Sequence, residues 1–216
     1  MAKLTDIGFS EGTIFEVILS TYNLDGTPNA APMGATLQNP QTLSLNIYNS
    51  SQTSRNLNAS GCAVVNLTSD IEVFYKTTFK EVNPNGKLMQ ELFEKAEAVN
   101  APKLRMADVT IDVSVADRKP FGADKTKFTF KVEQIKATTM CPQVYCRAKA
   151  LTLEAIIHAT RVKAFVNNEK QQKNIHKLLA TIENSRDIIN RVAPNSMYSA
   201  IMADLMQRID SWRNKP

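Results

Sequence analysis

The polar segment at residues 51–56, Ser-Gln-Thr-Ser-Arg-Asn, carries side chains that are well suited to binding an anion. It follows an alternating apolar run that ends at Tyr48, so the pattern predicts a strand followed by the first turn of a short helix. The hydroxyls of Ser51 and Thr53, the free N–H groups of that turn and the Arg55 guanidinium would converge on a dianion such as a phosphate. Simple capping of the helix by a hydroxyl is the alternative, and it stays open.

A strand of small side chains precedes this polar segment. The strand is predicted near residues 29–37, and a proline and a methionine interrupt its small residues: Ala30, Ala31, Pro32, Met33, Gly34 and Ala35. Such residues fill a sheet interior poorly, but they let a flat ligand or another chain approach the backbone closely. Together, the two segments suit a phosphorylated ligand that carries a planar aromatic ring.

A third group of candidate residues lies in the C-terminal third of the chain. Glu154, His158 and Arg161 are spaced at i, i+4 and i+7, which places them along one face of a predicted helix, and Arg147 lies just upstream. A histidine oriented by a carboxylate beside an anion-binding arginine could deliver a proton or anchor a substrate. A ladder of surface or interface ion pairs would explain the same spacing, and this alternative also stays open.

The elements that must position these residues change character near Ala148. In the first half, apolar and polar residues alternate over short runs bounded by turns such as Asp25-Gly26, which predicts a meander of antiparallel strands in a sheet or barrel. Within it, residues 88–99 have helical spacing and residues 119–125 are predicted as a loop. From Ala148 onward the spacing is helical throughout, which predicts three amphipathic helices in succession.

Composition and charge argue against several classes of protein. The 216 residues carry a net charge of +5, which belongs to the C-terminal third, because residues 1–144 sum to −1 and residues 145–216 sum to +6. These basic residues are scattered and no aromatic residues alternate with them, so nucleic-acid binding is disfavoured. No run approaches the ~18 apolar residues of a membrane span, and residues 1–10 lack a secretory signal core, so we expect a cytoplasmic protein that does not bind membranes.

The cysteines and the short sequence motifs argue against several kinds of site and reaction. Cys62, Cys141 and Cys146 form no Cys-x-x-Cys pair and have no histidine cluster nearby, so we expect reduced thiols and neither a disulfide framework nor a metal site. The absence of Gly-x-Gly-x-x-Gly from the sequence excludes a Rossmann nicotinamide fold. No residue resembles a nucleophile with a base at recognisable spacing, which disfavours a hydrolase.

Three motifs occur in a recognisable order in the first half of the chain. They are Asp-Gly-Thr-Pro-Asn-Ala-Ala-Pro-Met-Gly at residues 25–34, Ser-x-Thr-x-x-Asn at residues 51–56 and Gly-x-x-Val-Val-Asn at residues 61–66. Residues 12–80, which contain them, resemble the FMN-binding split β-barrel superfamily that includes flavin reductases and pyridoxamine-phosphate oxidases. The later stretch at residues 147–161 is similar to a branch of that superfamily that has no assigned reaction and appends a C-terminal helical region to the barrel.

The resemblance implies an antiparallel split β-barrel over residues 1–146 and a three-helix region over residues 147–216. It also implies a homodimer that binds FMN non-covalently, typically in a groove between subunits, with any NAD(P)H bound against the flavin. Residues of the polar segment would hold the phosphate and residues of the small-residue strand would lie beside the ring. The implied cofactor contacts are Asn29, Ala30, Ala31, Met33, Ser51, Thr53, Ser54, Arg55, Asn56, Arg147 and His158.

Three classes of function follow, and we rank them in this order. The first is an FMN-dependent oxidoreductase of the flavin reductase type with an unknown substrate. The second is a flavin carrier or sensor without turnover, and the third is a binding module that uses the basic C-terminal helices. The sequence leaves open whether Arg147, Glu154, His158 and Arg161 line the flavin pocket or hold the helical region to the barrel.

Overall fold

The computed structural model describes residues 3–138 and 144–213. These residues form eight strands and five α-helices, with short 3-10 turns between them. The strands are β1 (Ile14–Tyr22), β2 (Pro28–Asn39), β3 (Thr42–Tyr48), β4 (Cys62–Leu67), β5 (Phe93–Lys95), β6 (Pro102–Leu104), β7 (Val109–Phe121) and β8 (Lys125–Ala137). The helices are α1 (Gln52–Ser60), α2 (Ile71–Thr78), α3 (Arg147–Phe165), α4 (Gln172–Val192) and α5 (Met197–Arg213).

The chain divides into two compact units. The first contains the residues up to Glu11 and Phe15–Tyr145, and the second contains Gly12–Ile14 and the residues from Cys146 onward. All the strands, apart from the first residue of β1, and the helices α1 and α2 therefore belong to the first unit, and α3, α4 and α5 belong to the second.

Six strands of the first unit close into an antiparallel barrel in the order β1–β2–β3–β8–β7–β4, and β4 pairs back onto β1. In β3, period-two alternation places the apolar side chains on one face, where Leu43, Leu45 and Ile47 are buried. Their register against β8 sets Leu43 opposite Phe130 and Leu45 opposite Phe128, and both phenylalanines are buried too. The predicted antiparallel barrel is confirmed.

The helix predicted at residues 88–99 is wrong. Gln90–Leu92 forms a single 3-10 turn, and the chain then enters a hairpin in which β5 pairs with β6. The helical spacing is misleading because Leu88 and Phe93 are buried in one cluster with Leu104, a residue of the partner strand. Tertiary packing therefore decides the conformation of this segment against its local periodicity.

The predicted loop at residues 119–125 is shorter in the structure, because β7 and β8 both continue into it. The turn that remains contains Gly122, whose φ of 67° lies in the left-handed region that favours glycine. β4 pairs with β7 only as far as Ser114, so the end of β7 that contains Pro120 pairs with β8 alone. A proline is tolerated there because it lies on a free strand edge.

The second unit is a bundle of three helices. Its buried core draws on each helix and includes Ala155 and Ala159 of α3, Ile182 of α4, and Met202 and Ile209 of α5. The small alanines let α4 and α5 approach α3 closely. The predicted three-helix region is therefore confirmed. None of the helices in the described ranges is long and apolar enough to cross a membrane.

Candidate functional site

The polar segment after β3 forms the start of α1, as its hydroxyl-rich sequence predicts. Ser51 is the N-cap: its Oγ accepts a hydrogen bond from the Ser54 N–H at 3.1 Å and donates one to the Tyr48 carbonyl oxygen at 2.7 Å. Gly61, with a φ of 67°, ends the helix and donates its N–H to the Leu57 carbonyl. Ser51 therefore caps α1 in this structure, and its contact with an anion stays a prediction.

Beneath the first turns of α1, four neutral side chains form a buried hydrogen-bond network. Nδ2 of Asn29 donates to Oγ1 of Thr53 at 3.2 Å and to Oγ1 of Thr21 at 3.3 Å. Nδ2 of Asn56 donates to the same Thr21 oxygen at 2.9 Å. Each of the four residues is at most 2% exposed, so leaving any of these groups unpaired would be costly. The network thus holds α1 in a fixed position against β1 and β2, and it brings together three predicted site residues, Asn29, Thr53 and Asn56.

Gln52 and Asn23 extend this network toward the surface. Asn56 donates to Oδ1 of Asn23 at 2.9 Å, and Nε2 of Gln52 donates to Oδ1 of Asn56 at 2.7 Å. In the turn between β1 and β2, Asp25 accepts hydrogen bonds from both the hydroxyl and the N–H of Thr27. These bonds, chiefly the one from the hydroxyl, hold the pKa of Asp25 below its ordinary value, so its side chain is a carboxylate at neutral pH.

Lys80 is joined to the network through Asn29. It lies shortly after α2, and its ammonium group donates a hydrogen bond to Oδ1 of Asn29. This bond orients the Asn29 amide, with its oxygen toward the lysine and its nitrogen toward Thr53 and Thr21. Partial burial lowers the pKa of Lys80 from its ordinary value of 10.5, because desolvation disfavours the charged form.

A cavity of about 520 Å³ opens beside this network, in the first unit. The turn between β1 and β2, the start of β2, the first turn of α1 and residues 80–90 form its walls, and its charged and amide side chains include Asn29, Gln52, Lys80, Lys87 and Asp25. Its volume lies within the range of about 300–1,000 Å³ that is typical of small-molecule sites. The arrangement can therefore bind a ligand of cofactor size that carries an anionic group.

Arg55, predicted as the cation for the anion, lies on the exposed face of α1. Its Nε and Nη2 donate to Oε1 of Gln52 at 3.2 and 2.8 Å, and its Nη1 donates to the Ser50 carbonyl oxygen at 2.8 Å. The guanidinium is therefore paired with the start of its own helix, and within the described structure Arg55 is not one of the cavity-lining residues.

The small-residue strand is β2, and its first half is only partly covered. Ala30 is fully buried, whereas Ala31 and Met33 are half-buried and Gly34 is exposed. β2 pairs with β3 from Ala35 onward, so the residues ahead of it lie beyond that pairing. The cavity lining includes the first two residues of the strand, Pro28 and Asn29.

The C-terminal candidates lie on α3, in the second unit. His158 is half-buried and its Nδ1 is buried without a hydrogen-bond partner among the described residues, while Glu154 and Arg161 are exposed. Among the described residues, no ion pair joins Glu154, His158 and Arg161. The predicted cofactor contacts of Arg147 and His158 stay predictions.

Sequence reasoning missed Thr21, Gln52, Lys80 and Lys87 as residues of this site. For Thr21 the sequence contains a usable signal, because this polar residue lies near the end of the apolar strand β1. The structure shows that it is fully buried. The two lysines had none, since Lys80 reaches Asn29 across 51 residues of chain through the tertiary fold alone.

In the part of the chain that the structure describes, no group of three histidine, cysteine, aspartate or glutamate side chains could hold a metal ion. Cys62 and Cys146 are half-buried, and Cys141 lies outside the described residues.

Comparisons with known proteins agree with this architecture. An FMN-bound protein from Methanosarcina mazei, assigned to the DUF447 family, superposes with a TM-score of 0.55 at 20% identity over 95% of this chain and 99% of that one. Component B of nitrilotriacetate monooxygenase from Bacillus cereus gives a TM-score of 0.51 at 16% identity over 67% of this chain and 80% of that one. The styrene monooxygenase flavin reductase of Pseudomonas putida S12 gives 0.50 at 16% identity over 62% and 84% of the two chains. At these identities the similarity shows a shared fold.

The family is established by sequence. No curated protein matches the chain. A family model described as "Protein of unknown function (DUF447) N-terminal domain" matches residues 15–150, which include every strand of the barrel except the first residue of β1. The chain therefore belongs to the DUF447 family and has the fold of the flavin reductase-like split barrels.

Proposed function

We propose that this protein binds FMN non-covalently, with the phosphate beside the first turn of α1 and the flavin ring along residues 28–34 of β2. The observation that carries the proposal is the buried network of Asn29, Thr53, Asn56 and Thr21, which joins a lysine-lined cavity to a strand of small residues. The FMN-bound DUF447 protein from Methanosarcina mazei supports the choice of cofactor.

The residues of this cavity fit the chemistry of FMN. The free N–H groups at the start of α1 carry partial positive charge and favour an anion. The Thr53 hydroxyl accepts a hydrogen bond from Asn29 and keeps its own proton for donation to an acceptor such as a phosphate oxygen. Along β2 the small side chains leave space for a planar ring.

The protein's own contribution is position and electrostatics. Bound FMN would supply hydride and electron transfer, because the flavin ring accepts and releases electrons. The neutral network holds Thr53 and α1 in place, and it does so without adding negative charge that would repel a phosphate. The barrel strands on either side keep the network dry, which strengthens its hydrogen bonds.

We further infer that the reaction is an oxidoreduction of the flavin reductase type, with NADH or NADPH as the electron donor bound against the flavin. The fold shared with the flavin reductase of styrene monooxygenase supports this reaction class. The cytoplasmic location stays a prediction of the sequence.

A homodimer is also part of the proposal. Ile71, Tyr75 and Phe79 recur every four residues along and just after α2, and their exposed fractions are 64%, 52% and 48%. The ring centroids of Tyr75 and Phe79 lie 5.5 Å apart. We call the three side chains the apolar patch of α2. Phe79 immediately precedes the cavity residue Lys80, and a second copy that covers this patch would enclose the cavity further.

The first experiment measures flavin binding by the quenching of FMN fluorescence. The wild-type protein should bind FMN with micromolar or better affinity. Thr53→Ala should weaken binding about tenfold or more, because it removes a hydroxyl donor to the phosphate and leaves the Asn29 amide underpaired. Thr181→Ala is the matched control, since Thr181 is an exposed helix threonine that donates only to the Lys177 carbonyl. A wild-type protein that does not quench FMN fluorescence would contradict the proposal.

The second experiment separates the classes of function. NADH and NADPH are added anaerobically to the FMN-loaded protein, and the loss of the oxidised flavin absorption is followed. Rapid bleaching with either nucleotide, reversed by oxygen, is the expected result. Stable oxidised flavin with both nucleotides would indicate a carrier or sensor instead. Salt-sensitive retention on nucleic acid without flavin uptake would indicate a basic binding module.

A further inference from the structure

We propose that Lys80 is the cation that neutralises the cofactor phosphate and so makes the site discriminate phosphorylated from unphosphorylated flavin. This inference rests on the proposed function and adds a residue that the sequence motif does not include. It is carried by a comparison of the three cations in or near the site, Lys80, Lys87 and Arg55.

Lys80 is the half-buried cation of the three. Its ammonium group donates to the neutral amide oxygen of Asn29, and no carboxylate of the described residues lies within ion-pair distance of it. An ammonium has three N–H donors, so others remain for a further acceptor. Because the group is partly buried, an unbalanced charge there is unfavourable until an anion arrives.

The other two cations are exposed. The hydrogen bonds from Thr27 are the main cause of the lowered pKa of Asp25, and the charge of Lys87 adds a small contribution. Arg55 is exposed and directs its guanidinium to Gln52 and to the Ser50 carbonyl. Neither residue shares a hydrogen bond with Asn29 or Thr53.

The position of Lys80 connects it to the predicted phosphate contacts. Asn29 is hydrogen-bonded to Lys80 through its oxygen and to Thr53 through its nitrogen, so a single amide spans the gap between the ammonium and the Thr53 hydroxyl. Lys80, Asn29 and Gln52 of the first turn of α1 all line the same cavity. An anion placed beside that first turn would therefore accept a charge-assisted hydrogen bond from Lys80, next to the amide that holds the Thr53 hydroxyl.

The test compares FMN with riboflavin, which shares the ring and lacks the phosphate. The key variant is Lys80→Gln, because a glutamine amide can still donate to Asn29 while it removes the positive charge. The matched control is Arg55→Gln, which removes one positive charge from the exposed face of α1, outside the cavity lining. Lys80→Met provides a second variant without a polar group, and circular dichroism of each protein confirms the fold.

The wild-type protein should bind FMN at least about tenfold more tightly than riboflavin, as a charge-assisted hydrogen bond implies. Lys80→Gln and Lys80→Met should lose most of this preference by weakening FMN binding, with riboflavin affinity changed by less than about threefold. Arg55→Gln should keep the preference. Inorganic phosphate should compete with FMN for the wild-type protein and compete poorly for Lys80→Gln.

Two results would overturn the assignment of Lys80 and leave flavin binding intact. The first is equal weakening of FMN and riboflavin by Lys80→Gln, which would show that the lysine acts through the structure of the site. The second is a preference for FMN that survives in Lys80→Gln and disappears in Arg55→Gln. If the wild-type protein bound neither flavin, the proposed function itself would fall, and this assignment with it.

Discussion

At the scale of single residues, the site depends on one asparagine whose side chain forms hydrogen bonds with three other parts of the fold. Asn29 of β2 contacts Thr53 of α1, Thr21 of β1 and Lys80 beyond α2. Such a residue positions its neighbours more than it binds a ligand, because its amide groups are already paired. The Lys80 ammonium, by contrast, keeps N–H donors for a further acceptor. Its lowered pKa gives its charge an effect on stability that can be measured.

The lowered pKa of Lys80 predicts a pH dependence of stability in the protein without flavin. An unfolded lysine titrates near its ordinary value of 10.5, and the folded one titrates below it, so between the two values the unfolded chain binds more protons. The free energy of unfolding of the wild type, relative to that of Lys80→Gln, should therefore be flat at lower pH. It should rise as the pH increases through the folded pKa toward 10.5.

Urea unfolding over an alkaline pH series measures this difference. Asp25 and Lys87 line the same cavity and are present in both proteins, so their titration cancels to first order. A difference that decreases with rising pH would mean that a carboxylate stabilises the charged lysine, and it would contradict the desolvated environment described above.

The residue scale also shows where sequence reasoning stops. Thr53 and Asn56 could be found, because they lie three residues apart in a recognisable polar segment on one short helix. Lys80 could not, because no local pattern connects it to a residue 51 positions earlier. Arg55 was predicted as the cation from its neighbours in the chain, and the helix turns its side chain to the exposed face.

At the scale of elements, the N-terminal end of α1 has two roles. Ser51 caps the helix through its Oγ, and the same end of the helix is the proposed phosphate site. A negative charge at position 51 affects helix capping and phosphate binding differently, because an aspartate is as good an N-cap as a serine but repels a phosphate.

Ser51→Asp is therefore expected to separate stability from cofactor binding. The free energy of unfolding should stay within about 0.5 kcal/mol of the wild type, whereas Ser51→Ala should lose about 1 kcal/mol because the cap is removed. FMN affinity should fall about tenfold or more in Ser51→Asp, while riboflavin affinity should be nearly unchanged. Denaturant titrations and flavin titrations of the three proteins provide both readouts. Unchanged FMN affinity in Ser51→Asp would place the phosphate away from this helix end.

Elements whose burial pattern is local were predictable, and elements stabilised by distant partners were not. β3 alternates cleanly, and α1 is bounded by Ser51 and Gly61, so both follow from the sequence. The hairpin of β5 and β6 does not, because Phe93 is buried in one cluster with Leu104 of the partner strand. Lys103 also forms ion pairs with Glu94 at 3.3 Å and Glu97 at 3.6 Å. Those ion pairs cross the hairpin, and no periodic pattern in the amino-acid sequence indicates them.

At the scale of the whole molecule, the proposed homodimer places a second copy on the apolar patch of Ile71, Tyr75 and Phe79. Exposed apolar side chains grouped in this way are typical of protein interfaces. The helical unit has exposed apolar residues of its own, such as Leu153 of α3 at 58% exposure, so the two surfaces can be compared directly.

Tyr75→Asp should shift the protein from dimer to monomer, because it places a charge in an apolar interface. Leu153→Asp on α3 is the matched control and should remain a dimer. Light scattering after size-exclusion chromatography reports the mass of each species. A dimer that survives Tyr75→Asp and dissociates with Leu153→Asp would assign the interface to the helical unit instead.

The central claim concerns where the cofactor lies, and a crystal structure of the FMN complex tests it most directly. The phosphate is expected within hydrogen-bond distance of Thr53 and of the Lys80 ammonium, at the first turn of α1. The flavin ring is expected against the backbone of residues 28–34. A flavin bound elsewhere, with the cavity between α1 and Lys80 filled by other groups, would contradict the account.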